Sequence, residues 1–164
     1  MNQTHIHLFI THLPLFGSMF GGLVLLHGFL VKSTQTNIAG YYILILSGIG
    51  AGIAYITGEA AEETVENIQG IIKSNIEANE EFALFALISL ISLGVLSLLA
   101  LFFAWNKSPL IRPLNIVILL LSGISFILVS RTAYLGGQIR HTELNPTTNL
   151  TPVQMDVKRD GDID

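Results

Sequence analysis

His5-Ile6-His7-Leu8-Phe9-Ile10-Thr11-His12-Leu13-Pro14, running on to Val31 without an acid, lysine or arginine, is the stretch that decides the fold. Four of the chain's five histidines, at 5, 7, 12 and 27, lie on it. The rest of it is apolar over about 20 residues, the length a helix needs to cross the hydrocarbon of a bilayer. Three segments like it follow, so the four spans cover about residues 8–31, 38–57, 82–105 and 114–135. Lipid offers a backbone no hydrogen bonds, and a helix supplies its own. The sequence therefore predicts an all-α integral membrane four-helix bundle.

Composition points the same way. Of 164 residues, 51% are hydrophobic and only 12% charged, where a soluble domain carries about 25%. The mean hydropathy is +0.61. One domain is expected, at residues 1–143, with a flexible polar tail at 144–164. The absence of cysteine excludes disulfides, iron–sulfur clusters, c-type haem attachment and thiolate zinc sites. Met1-Asn2-Gln3-Thr4 has no positive n-region, so the first segment reads as a retained span rather than a signal peptide.

The loops at 32–37 and 106–113 are short, which makes neighbouring helices antiparallel. They carry Lys32, Lys107 and Arg112 and no acid. All twelve Asp and Glu fall at the opposite end, with Lys73, Arg140, Lys158 and Arg159. Positive charge near the span ends marks the cytoplasmic side, so both termini are expected outside. Gly17-xxx-Gly21, Ser18-xxx-Gly22 and Gly48-xxx-Gly52 are small-residue pairs of the kind that let helices approach closely in lipid. Between spans two and three, Ala61, Val65, Ile68, Ile72 and Ile76 recur at helical steps, with Glu59, Glu62, Glu63 and Glu66 on another face. That pattern predicts an acidic amphipathic helical loop over 58–81, lying across the outer mouth and broken or bent at Gly70.

Histidine in or near a membrane segment is a functional hypothesis by default. His5 and His12 are seven residues apart and nearly share a face, whereas His7 points elsewhere. Arg131, Tyr134, Gln138 and His141 share a face of span four if it continues past Gly136-Gly137. With the acidic stripe and Glu80-Glu81, the polar residues converge on one rim. Imidazoles beside carboxylates suit a divalent transition metal, and two histidines from different helices could clamp the iron of haem b. The candidate cofactor ligands are His12 and His141, with His5 in reserve and Arg131 and Arg140 balancing propionates. For a metal they are His12, His141, Glu59 and Glu63. The plain alternative is a structural or accessory subunit of a membrane complex with no cofactor. Arg131 is expected to bridge to Glu59 or Glu63. No histidine faces His27 at its depth, so a second haem is not expected. Beyond Arg131 and the end histidines no polar residue stands in mid-membrane to line a transport path, and no nucleophile–base arrangement suggests catalysis. The expected partners are the lipid bilayer and a membrane redox protein or a second copy, not nucleic acid.

Four blocks in order, His5-x-His7 with Thr11-His12-Leu13-Pro14, Thr57-Gly58-Glu59-Ala60-Ala61-Glu62-Glu63, Glu80-Glu81, and Gly136-Gly137-Gln138-Ile139-Arg140-His141-Thr142-Glu143, resemble a group of small bacterial four-helix membrane proteins. That group belongs, or lies close, to a widespread membrane domain family of unknown function, here in a form similar to those of Bacteroidetes. The resemblance covers about residues 1–143 and implies a multi-pass protein of the bacterial inner membrane. Related domains are sometimes joined to Rieske-type proteins, which implies electron transfer and haem. Residue by residue it points to His12, Glu59, Glu63, Arg140 and His141, and to His5. Where it implies a histidine just before Glu80-Glu81, this chain has Asn79.

Overall fold

A computed structural model of the chain describes the backbone at residues 7, 9–65 and 73–140 and the side chains at 7, 9–58 and 76–138. The helices are α1 (His12–Leu30), α2 (Thr34–Val65), α3 (Lys73–Trp105) and α4 (Ile111–Arg140), with no strand among the described residues. They form a ring in chain order: α1 packs mainly on α2 and α4, and α3 on the same two. The fold is the expected all-α bundle. Its four spans, His12–Leu30, Thr34–Gly58, Ile76–Trp105 and Ile111–Gln138, are each long and apolar enough to cross a membrane.

The interior mixes large apolar side chains such as Leu25, Leu44, Leu90 and Ile118 with small polar ones, and many large apolar side chains face outward. Phe20, Leu23, Leu46, Ile49, Ile88, Leu98, Leu120 and Ile127 stand exposed on the outside. Ser18, Ser47, Ser97, Asn115, Ser122 and Ser125 are buried. With lipid as solvent there is no hydrophobic force between helices, and small residues at the helix contacts let backbones approach closely. The chain is a multi-pass membrane protein. Among the buried groups, the Tyr41 hydroxyl donates to Asn115 Oδ1 across α2 and α4, and Ser47 Oγ donates to the Pro14 carbonyl at 3.1 Å. These groups correct the expectation that the span interiors hold no polar residue beyond Arg131 and the histidines. Most of the serines bond carbonyls of their own helix, as Ser97 does Leu93, so they serve packing rather than line a path.

The glycines do not all work as the spacing suggests. A Cβ at Gly17 would stand 2.8 Å from Ser47 Cβ, and one at Gly21 2.6 Å from Leu44 Cδ2. Those two positions therefore seat α2 on α1. Gly48 works across helices instead, facing the Leu90 carbonyl and Gly94 of α3. Nothing lies within 4 Å of a Cβ at Gly52, so Gly48 and Gly52 are not a packing pair.

Two features lengthen the helices beyond their spans. α2 runs past Gly58 to Val65 and α3 begins at Lys73, so the described parts of 58–81 extend two spanning helices rather than form a separate helix across the mouth. Ala60, Ala61, Glu62 and Glu63 are strong helix formers, and a helix already nucleated in the membrane propagates into them. The expected break at Gly70 and the tail at 144–164 lie outside the described residues.

At the short-loop end, α1 and α3 stop in the same way. Ser33 N–H donates to the Gly28 carbonyl and Lys32 N–H to Phe29, and Ser108 and Lys107 repeat this onto Phe103 and Ala104. Both turns put a lysine in the left-handed region, at φ 57° for Lys32 and 50° for Lys107. Glycine is the usual residue at this position of a Schellman turn, since a Cβ there adds roughly 1 kcal/mol of strain. Lys32→Gly and Lys107→Gly are each expected to raise stability in neutral detergent by up to about 1 kcal/mol. Thermal melting of the purified variants checks this, and a lowered melting temperature in both would refute it.

Candidate functional site

His7 enters the bundle one turn before α1. The chain is already helical there, with Thr11 N–H bonded to the His7 carbonyl at 3.0 Å. Its ring reaches α2, where Nδ1 lies 2.9 Å from the Ala54 carbonyl oxygen and 3.3 Å from Thr57 Oγ1. A carbonyl can only accept, so the proton sits on Nδ1 and the lone pair of the neutral ring on Nε2. The ring fits because residue 58 is glycine: a Cβ there would stand 3.0 Å from His7 Cε1.

Three further observations place other groups at about the depth of the ring. Gly22 of α1 abuts Ser122 of α4. Fifteen residues outward from each of these, roughly 22 Å along antiparallel helices, lie His7 and Gly137. One residue before Gly137, Gly136 faces Asn79 of α3, whose Oδ1 would be 3.5 Å from a Cβ at 136. Asn79 Oδ1 is itself buried and has no hydrogen-bond partner among the described residues. By helical rise, the fixed imidazole, the amide oxygen without a described partner and glycines of α2 and α4 stand at about the same depth, in a layer at the end of the bundle opposite the short loops. A buried acceptor left without a donor destabilises by about 1–3 kcal/mol. Asn79→Leu is therefore expected to raise the melting temperature of the ligand-free protein, and a drop would mean that the oxygen is satisfied.

The ring's surroundings also set its charge. Burial holds the His7 imidazole below its ordinary pKa of 6.5, while the hydrogen bond to Ala54 pulls the other way. The unfolded chain then takes up a proton that the folded chain resists. Stability from this group is full above pH 6.5, falls as the pH drops through that value, and levels off once folded His7 protonates too. Melting curves from pH 8 to pH 5 are expected to show an acid limb that His7→Gln reduces. Identical limbs in both proteins would remove His7 as its source.

Of the residues singled out by sequence as ligands or counter-charges, His12 and Arg131 have described side chains, and both face outward from the bundle. His12 is exposed and points away from the bundle, its ring stacked on Phe16 at 6.2 Å, and Phe16 stacks on Phe20 at 5.9 Å. With Phe9, Ile10 and Leu13 it borders a shallow apolar recess on the outer side of α1. A metal or iron bound at His12 would sit on that outer face. Arg131 is exposed on α4, with its guanidinium 5.7 Å from the Phe82 ring centre and 5.4 Å from that of Tyr134, both within cation–π range. Tyr134 accepts a hydrogen bond from Gln138 Nε2 at 2.9 Å. The side chains of Glu59, Glu63 and Arg140 lie outside the described residues, although their backbones continue α2 and end α4. The bridge expected from Arg131 to Glu59 or Glu63 therefore also lies outside them, as do His5 and His141. No three His, Asp or Glu side chains come together as a metal site among the described residues.

A signal for His7 was present in the sequence. Heptad steps from it reach Pro14, Gly21 and Gly28, and all three are buried. The small residues of α1 mark its inward face, and His7 lies on that face. The chain matches no family model, no curated protein and no solved structure.

Proposed function

We propose that this end layer holds a redox or metal cofactor, haem b or a divalent transition metal, with His7 Nε2 as a ligand, in a small electron-transfer or metal-associated protein of the bacterial inner membrane. The observation that carries this reading is the Nδ1–H bond from His7 to the Ala54 carbonyl. Metal-ligating imidazoles are held in this way, the second nitrogen donating to a carbonyl so that ring and tautomer are set before the ligand arrives. Haem b is the leading member of the pair, because an iron in a porphyrin takes only one or two axial ligands from the protein. A bare metal ion would draw on further groups, and Glu59 and Glu63, which follow Gly58 on α2, are the candidates the sequence offers. The resemblance to small bacterial membrane proteins, whose related domains are sometimes joined to Rieske-type proteins, supports the same class. Lys32 and Lys107 on the short loops, with Arg112 at the start of α4, support a cytoplasmic short-loop end, with the cofactor layer and both termini outside.

The alternative is an accessory subunit without a cofactor, packing its glycine-lined helices on another membrane protein. It has less support, since Gly17, Gly21, Gly22 and Gly48 pack against neighbours within this chain. The deciding experiment is a visible spectrum of the detergent-purified protein, oxidised and then reduced with dithionite, with metal analysis of the same sample. A Soret band that shifts on reduction supports haem b, and a colourless protein with stoichiometric metal supports the ion. Protein expressed with ample haem and metal that carries neither would overturn the proposal in favour of the accessory role.

A further inference from the structure

We propose that the short-loop end of the bundle is an anionic-lipid docking surface, on which Lys32 and Lys107 each hold the phosphate of a headgroup. Both lysines are exposed and both sit in the left-handed region, where glycine would be relaxed. A strained backbone position kept for a charged side chain, and repeated in two loops of different sequence, points to work done by the charge. The ring order of the helices puts the α1–α2 and α3–α4 loops on opposite sides of the bundle. The two lysines therefore stand apart and meet separate lipids rather than share one ion.

Everything near them favours an anion. Exposed Arg112 lies in the first turn of α4. The N-termini of α2 and α4, the positive ends of their helix dipoles, point toward this end, with Thr36 N–H already capped by Ser33 Oγ and Ile111 N–H by the Ser108 carbonyl. No Asp or Glu occurs in residues 1–58 or 82–142, so no acid of the short loops or of the helix turns beside them competes. Trp105, 63% exposed at the last turn of α3, marks the headgroup level at which such lysines act. A lysine after a helix C-terminus also meets the last carbonyls of its own helix. That local role would be independent of the lipid, and this gives the test its contrast.

The test is thermal melting of the whole protein in nanodiscs of phosphatidylcholine alone or with an equal part of phosphatidylglycerol. Wild type and Lys32→Arg/Lys107→Arg are expected to melt about 4 °C higher with phosphatidylglycerol, and high salt should reduce the gain. Lys32→Gly/Lys107→Gly is expected to melt higher than wild type in phosphatidylcholine, yet to lose at least half of the phosphatidylglycerol gain. Millimolar inorganic phosphate added to phosphatidylcholine discs is expected to do nothing. A glycine variant that keeps the full gain, a wild type with none, or an equal gain from free phosphate would each overturn the proposal.

Discussion

Gly48→Ala and Gly40→Ala are expected to be among the most damaging single-methyl changes in the bundle, each lowering stability by about 2–3 kcal/mol. The reason is what the new methyl would meet. At Gly48 it would stand 2.9 Å from the backbone oxygen of Leu90, and at Gly40 3.0 Å from the backbone nitrogen of Leu25. A side chain in the way can change rotamer, but a helix backbone in the way has to move as a helix. The α2–α3 or α1–α2 crossing would therefore open, and dispersion contacts along the whole seam would weaken with it. Gly52→Ala and Gly123→Ala are the controls, because nothing lies within 4 Å of either Cβ. Both are expected to be neutral or to stabilise by up to about 1 kcal/mol through helix propensity. Reversible unfolding of the four variants in mixed micelles separates the classes. If Gly48→Ala behaves like Gly52→Ala, the crossing is looser than these distances imply.

That contrast also shows where sequence reading reaches its limit in such a protein. The four spans were legible because lipid tolerates almost no charge over about 20 residues, a constraint that each segment meets by itself, with Arg131 near one end of the fourth as the single charge. Which glycine faces which helix was not legible. Gly48 and Gly52 have the same spacing as Gly17 and Gly21, and only the rotation of α2 between α1 and α3 tells them apart. Outside and inside are both apolar here, so hydrophobic periodicity cannot give that rotation. The buried serines, Tyr41 and Asn115 escaped notice for a related reason, since single polar residues hardly change the hydropathy of a long window. The left-handed lysines were hidden more deeply. Glycine is the residue that announces such a turn, and Val31-Lys32-Ser33 and Asn106-Lys107-Ser108 contain none.

At the candidate site, His7→Ala is expected to remove the bound cofactor outright, whereas His12→Ala and His27→Ala keep it. The sequence favours His12, which shares a face with His5 and heads the Thr11-His12-Leu13-Pro14 block. The structure turns His12 outward onto Phe16 and turns His7 inward onto Ala54. These two rings are five residues apart and cannot both face the interior of one helical stretch. Loss of a ligand differs in kind from loss of the groups that orient it. Thr57→Val removes the Oγ1 beside His7 Nδ1 but leaves the Ala54 carbonyl in place. It is therefore expected to weaken retention by about tenfold rather than abolish it. Gly58→Val should act more strongly, because its side chain enters the space now taken by the His7 ring. Cofactor per protein after affinity purification, read from absorbance or metal analysis, gives all five values in one series. If His12→Ala empties the protein while His7→Ala stays loaded, the ligand lies on the outer face of α1 beside Phe9 and Phe16. The half-buried His7 would then be a structural pin between the segment before α1 and α2.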